Sequence, residues 1–287
     1  MSELTEHRLR IGDREVTLLQ GPAGWGEYSP LPGYPADPAA CRAAAESAAR
    51  DGFPPPVRDS VPVNALVDGP FLVQEIRGYP AVKVKVRDAS GIALVAAVRE
   101  ALGPGVPIRV DANGSWSVDL AVEMIGRLAR YGIEYVEQPV ASIDDLARVR
   151  RAVDVPIAAD ECVRSLADAR ALRAADAADL IVLKQQPFGG VRAALDVYEA
   201  AGVPAVVTSM LETSVGISAG VALAAALPEL PYACGLATLG ALAADVTHAP
   251  LVPVEGAIAV RAVAPADDLL ARYSASSDPS ASNEARS

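Results

Sequence analysis

Histidine is nearly absent from this 287-residue sequence: His7 and His248 are the only two, and neither closes an apolar run. Catalysis by a serine–histidine or cysteine–histidine pair therefore has poor material. Cysteine is as scarce. Cys41, Cys162 and Cys234 form an odd set without C-x-x-C spacing, which argues against a disulfide scaffold or a zinc site and fits a reducing compartment. Cys162, beside an acidic pair, reads as a small buried filler. Aromatics make up 5% of the chain against 51% hydrophobic residues, so the core must be built from Ala, Val, Leu and Ile. Positive charge is in deficit, and a net charge of −11 argues against a nucleic-acid backbone as partner. No leader-like apolar stretch follows Met1, and the longest apolar run, near 215–227, is shorter than the roughly 20 residues a bilayer span needs. A cytoplasmic protein without membrane partner is the expectation.

What is present is a series of short, β-branched runs that end in charge. They are Ala81–Val86, Val106–Asp111, Ile133–Glu137, Val155–Glu161 and Leu180–Lys184. Each reads as a buried strand. Their charges (Lys85, Asp111, Glu137, Asp160, Lys184) follow one another at steps of 26, 26, 23 and 24 residues. One strand, one helix and two loops fill such a step, so the spacing predicts one charge per βα unit. A parallel barrel gathers all these strand ends on one face. With further strands near 61–67, 203–209 and 231–235, and helices near 70–78, 88–102, 117–131, 142–152, 165–174, 189–201 and 213–226, the count is that of a (β/α)7β barrel over 61–249. A doubly wound sheet is the competing architecture, but no Gly-rich phosphate turn follows an early strand.

Residues 1–60 lack this rhythm. A loose hairpin from Arg8, a Gly/Pro-rich loop through Tyr34 and a helix begun by Asp37-Pro38 predict a small α+β capping unit. The stretch 250–273 is expected to return onto that unit. The Ser-rich end, 274–287, is expected to be disordered.

Asp111, Glu137 and Asp160 offer three oxygen ligands with no His or Cys nearby, a set that selects Mg2+ first and Mn2+ second. Any one of them alone reads as a helix cap; three at barrel spacing read as a metal site. Lys83 and Lys85 point to the same face of one strand, where neighbouring positive charge would bring a lysine towards the range of a general base. An edge strand with wet lysines is the alternative. Lys184 could face them across the barrel, or serve as a Schiff-base lysine of the aldolase kind.

Together, Lys83-Val-Lys85, Arg109-Val-Asp-Ala-Asn-Gly-Ser-Trp116, Val136-Glu-Gln-Pro139, Ala159-Asp-Glu161 and Lys184 resemble the enolase superfamily and its muconate-lactonizing subgroup. Within that subgroup, Trp25-Gly-Glu-Tyr-Ser-Pro-Leu-Pro32 and Thr208-Ser-Met-Leu-Glu-Thr-Ser-Val-Gly216 are similar to the cap motif and seventh-strand loop of the o-succinylbenzoate synthases. The resemblance spans about residues 9–263. It implies Mg2+ on Asp111, Glu137 and Asp160, binding the carboxylate of a small-molecule substrate. It implies Lys85 as the base that removes the α-proton, Lys83 tuning it, and Lys184 stabilising an enediolate from the opposite face. Arg109, Asn113 and Glu161 would orient these groups, and Ser209 and Gly235, continuing the strand-end series, would contact substrate. The implied reaction is a syn-dehydration to o-succinylbenzoate. An N-acylamino-acid racemase or a cycloisomerase would need the same two lysines. Ala233-Cys-Gly-Leu236 lacks the Asp-x-Asp of dipeptide epimerases. Against the family pattern, the chain starts about one strand and one active-site loop into the cap.

Overall fold

A computed structural model describes residues 3–275. The N-terminal unit is a meander of β1 (Thr5–Ile11), β2 (Arg14–Gly21) and β3 (Gly24–Tyr28), all antiparallel, followed by α1 (Pro38–Asp51). Asp37 caps α1 by accepting the Ala39 N–H, Pro38 opens its first turn, and Gly52 at φ 62° ends it. The helix lies so close on β3 that a Cβ at Gly26 would sit 1.9 Å from the Ala45 carbonyl oxygen; only glycine fits there. The expected hairpin is present, but its Gly/Pro-rich loop contains the third strand.

The chain then alternates. After β4 (Ser60–Pro62) come β5 (Ala65–Val67), α2 (Val73–Ile76), β6 (Val82–Lys85), α3 (Gly91–Leu102), β7 (Ile108–Asp111), α4 (Val118–Ala129), β8 (Ile133–Glu137) and α5 (Ile143–Arg150). β9 (Ile157–Ala159), α6 (Leu166–Ala175), β10 (Leu180–Leu183), α7 (Val191–Ala201), β11 (Ala205–Val207) and α8 (Ser214–Ala226) complete the series. Strands β5 to β11 form one parallel sheet in chain order. The segment 233–235 closes it. The Cys234 N–H donates to the Pro62 carbonyl, Asn64 donates back to Cys234, and the Gly235 N–H donates to Val207. The expected eighth strand is thus two bridges rather than a full strand, and the predicted barrel is borne out. Serine at the turns explains the regular spacing: Ser117, Ser142 and Ser165 each cap the helix that follows.

Val254 and β12 (Ala257–Ala259) lead the chain back, with β12 pairing β4, and α9 (Asp267–Tyr273) packs on β1. Ser274 bridges Leu9 and the Ala275 N–H donates to Arg8, so described backbone continues into the stretch expected to be disordered. The rest of that stretch, 276–287, lies outside the described residues.

Two cores follow from strand alternation. Outward-facing Val, Ile and Ala pack under the helices. Inward, Tyr135, Ala158, Leu180, Val182 and Val206 fill the lower barrel with Tyr232 against them. Two residues further along the same strands, the inward positions are Glu137, Asp160, Lys184 and Thr208. The apolar plug is therefore the floor on which the charges stand.

Candidate active site

The cavity above this floor has a volume of about 330 Å3. Lys83, Lys85, Asp111, Asn113, Glu137, Asp160, Glu161, Lys184, Ser209 and Gly235 all line it. Lys83, Asp111, Glu137, Asp160 and Lys184 are buried, with Asp111 and Glu137 each 1% exposed, while Lys85 and Glu161 are half-buried.

The charges are paired across strands. The Lys83 ammonium donates to Glu137 at 2.9 and 3.2 Å and lies 3.3 Å from Asp111 Oδ2. Lys85 donates to Asp111 at 2.6 Å and to the Asn113 side-chain oxygen at 2.8 Å. Lys184 donates to both oxygens of Asp160. Asn113, whose φ of 46° turns its side chain back over β7, donates to Glu161 at 2.9 Å. Lysine occurs nowhere else in the sequence, so every lysine of this chain stands in one cavity.

Burial alone would lower the pKa of Lys83, but Glu137 and Asp111 outweigh it and raise the group. Lys83, expected to tune Lys85, stands two residues before it on β6 and takes Glu137 and Asp111 as its partners. Lys184 is raised in the same way, burial being overcome by Asp160 and Glu137. Burial would also raise Asp111, yet Lys83 and Lys85 hold it well below the usual carboxylate range. Burial and the Asp111 charge push Glu137 up to about 8. Cys162 is half-buried, and burial raises its thiol to about 11.

The donor set fits a hard dication in kind: three buried carboxylates on successive strands, and a buried Glu161 Oε2 that has no hydrogen-bond partner. As placed, each of Asp111, Glu137 and Asp160 takes an ammonium partner, and no three such side chains converge on one point among the described residues.

Arg109 does not join the site. Its guanidinium lies on the floor, donating to Glu134 at 2.6 Å, to Asn64 at 3.2 Å and to the Ala233 carbonyl, between the rings of Tyr135 and Tyr232. Two residues below Asp111 on the same face, it reaches neither the carboxylates nor Lys184. The group expected to orient ligands thus has its hydrogen-bond partners in the barrel seam.

The structure adds residues that the sequence did not single out. Tyr34, from the N-terminal unit, donates to Asp160 at 3.0 Å and lies 3.4 Å from Lys184. Thr208 follows the Leu183–Val207 pair and so stands beside Lys184; its buried hydroxyl has no partner. It, rather than Ser209, continues the inward series. Ser209 turns to Thr238 at 2.6 Å. Gly235 leaves room for Thr208, because a Cβ there would meet its methyl at 2.8 Å.

The chain matches the enolase C-terminal domain-like family over residues 72–265 and the enolase N-terminal domain-like family over 6–49. It is 55% identical over 269 residues to the o-succinylbenzoate synthase of Thermobifida fusca, covering 90% of this chain and 85% of that one. Against the o-succinylbenzoate synthase of Mycobacterium ulcerans the identity is 46% over 268 residues, with 89% and 81% covered. The muconate lactonizing enzyme from Pseudomonas putida superposes with a TM-score of 0.83 at 20% identity, over 96% of this chain and 99% of that one. Muconate cycloisomerase from Pseudomonas fluorescens gives 0.82 at 21% identity, over 96% and 98%. At those identities the two structures bear on fold alone.

Proposed function

The chain belongs to the o-succinylbenzoate synthase family of the enolase superfamily, and from that premise we propose how its cavity works. The reaction is dehydration of 2-succinyl-6-hydroxy-2,4-cyclohexadiene-1-carboxylate (SHCHC) to o-succinylbenzoate, in menaquinone biosynthesis. A divalent cation is the cofactor of this superfamily. With an all-carboxylate donor set it is Mg2+, which Asp111, Glu137 and Asp160 would hold and which would supply Lewis-acid polarisation of the ring carboxylate.

Lys85 takes the proton α to that carboxylate and returns it to the hydroxide leaving from the same face, so that water departs and the ring becomes aromatic. Lys184 is four strands away in an eight-position barrel, on the opposite side of the substrate. Its retained positive charge faces the developing enediolate. Lys83 holds Glu137 and Asp111 in register rather than moving a proton. Asn113 fixes Lys85 and Glu161 together, and Ser209 and Gly235 border the substrate. No helix among the described residues is long and apolar enough to cross a membrane, and the reading requires a small-molecule carboxylate only.

The observation that carries this reading is the pair of ammonium groups on opposite sides of one cavity, with three buried carboxylates on the strands between. Protein supplied with Mg2+ is expected to convert SHCHC to o-succinylbenzoate, followed by loss of the substrate's absorbance, and EDTA is expected to abolish turnover reversibly. Full activity after EDTA would refute it. N-acylamino-acid racemisation is assayed beside it, because opposed lysines also suit a two-base racemase; faster racemisation than dehydration would reassign the main activity.

A further inference from the structure

One side chain of the cavity wall sits on a backbone that leucine rarely adopts. Leu211 has φ 58°, in the left-handed region where a residue with a Cβ is strained. Such a conformation persists only where the surroundings over-determine it. Here they do so at both backbone groups of the preceding residue. The Met210 N–H donates to Glu212 Oε2 at 2.9 Å, and the Met210 carbonyl accepts from Arg14 at 3.4 Å.

The holding groups are themselves buried and joined. Arg14, on β2, also donates to the Ser29 carbonyl at 2.8 Å. Glu212 accepts from Gln186 at 2.7 Å, and Gln186 accepts the Ser29 N–H at 3.0 Å. Glu27 on β3 accepts from Ser29 at 2.6 Å and from the N–H groups of Thr213 and Gly216, at the start of α8, at 3.1 and 2.8 Å. Two buried carboxylates against one guanidinium are a costly way to gain stability: burial and then the Glu212 charge push Glu27 up to about 7. What the cluster does accomplish is geometric. It sews the segment leading to Leu31 and Tyr34 to the segment Thr208–Leu211, and both segments line the substrate cavity.

We propose that Arg14, Glu27 and Glu212 form a buried clasp of positioning residues, which holds Leu211 in its strained backbone and so sets the apolar wall that the substrate's non-reacting part packs against. The inference rests on the dehydratase reading above. The clasp makes no hydrogen bond to the three lysines or to Asp111, Glu137 and Asp160, so it acts on substrate binding and not on the chemical step.

The test is a cycle of Glu212→Gln, Leu211→Ala and the double variant, with Leu211→Ala as the mild change that leaves the clasp and the fold in place. Steady-state constants for SHCHC and Mn2+ affinity are measured on folded protein. Each single variant is expected to raise KM about tenfold with kcat within about threefold, the size expected when a positioning contact slips. Metal affinity is expected to be unchanged. The double variant is expected to be no worse than Leu211→Ala, because Glu212 acts through Leu211. Multiplying effects in the double variant, or an unchanged KM in folded Leu211→Ala, would overturn the clasp. Should Glu212→Gln not fold, Arg14→Lys replaces it in the same cycle, with the same two outcomes deciding. Absence of SHCHC turnover in the unaltered protein would instead overturn the dehydratase reading, and the clasp's catalytic meaning with it.

Discussion

Replacing Lys85 by alanine is expected to lower kcat for SHCHC dehydration by at least about 10³-fold, within the range of about 10²–10⁴ that a positioned acid or base contributes, and above it if both proton transfers are lost. The reason is positional. Lys85 is the least buried lysine of the three, and it donates to Asp111 at 2.6 Å and to the neutral Asn113 oxygen at 2.8 Å. Lys83 is committed to carboxylates alone, Glu137 and Asp111, and Lys184 donates to both oxygens of Asp160 and, at 3.4 Å, to the Tyr34 hydroxyl. Product affinity is expected to stay within a few-fold of the unaltered protein in Lys85→Ala, which isothermal titration with o-succinylbenzoate would read. Lys184→Met is expected to cost about 10²–10³ in kcat, as removal of a single charge-stabilising group does. Turnover by Lys85→Ala at even a tenth of the original rate would end its assignment as the base. The chain offers an unusual control, since it has only these three lysines. In protein labelled at lysine side chains, NMR would show three ammonium signals, and each variant would delete one, fixing which group titrates.

The strand-end charges to which these lysines belong were the most legible signal in the sequence. Strand-end charge at steps of one βα unit placed Lys85, Asp111, Glu137, Asp160 and Lys184 in one cavity because strand alternation and barrel closure leave a period of about 25 residues little freedom. The family membership and the barrel are borne out by the relatives and by the closed sheet. What failed to show has physical causes too. β11 is three residues long, so a one-residue slip was invisible and Ser209 stood where Thr208 points inward. Tyr34 and Leu31 reach the cavity from the loop between β3 and α1, and no local periodicity reports such a contact. Arg109 sat one pleat from Asp111 on the same face, and sequence alone does not give depth along a strand.

Depth is what makes Arg109 matter, and the expected result is a loss of stability rather than of chemistry. The segment 233–235 joins the sheet through two bridges only, and Arg109 binds it directly by donating to the Ala233 carbonyl. The same guanidinium, 1% exposed, is paired with Glu134 and enclosed by Tyr135 and Tyr232, whose rings meet edge to face at 85°. Methionine would fill most of the space but leave the Ala233 carbonyl and the Glu134 carboxylate without a donor. Breaking such a buried pair costs about 3–5 kcal/mol, and for a chain of this size that lowers Tm by about 10 °C. Arg109→Met is therefore expected to unfold about 10 °C earlier by calorimetry, with kcat per folded molecule within about threefold of the original. Arg109→Lys is expected to recover part of the loss only, because an ammonium cannot span Glu134, Asn64 and Ala233 at once. A variant with unchanged Tm and a collapsed kcat would return Arg109 to the active site.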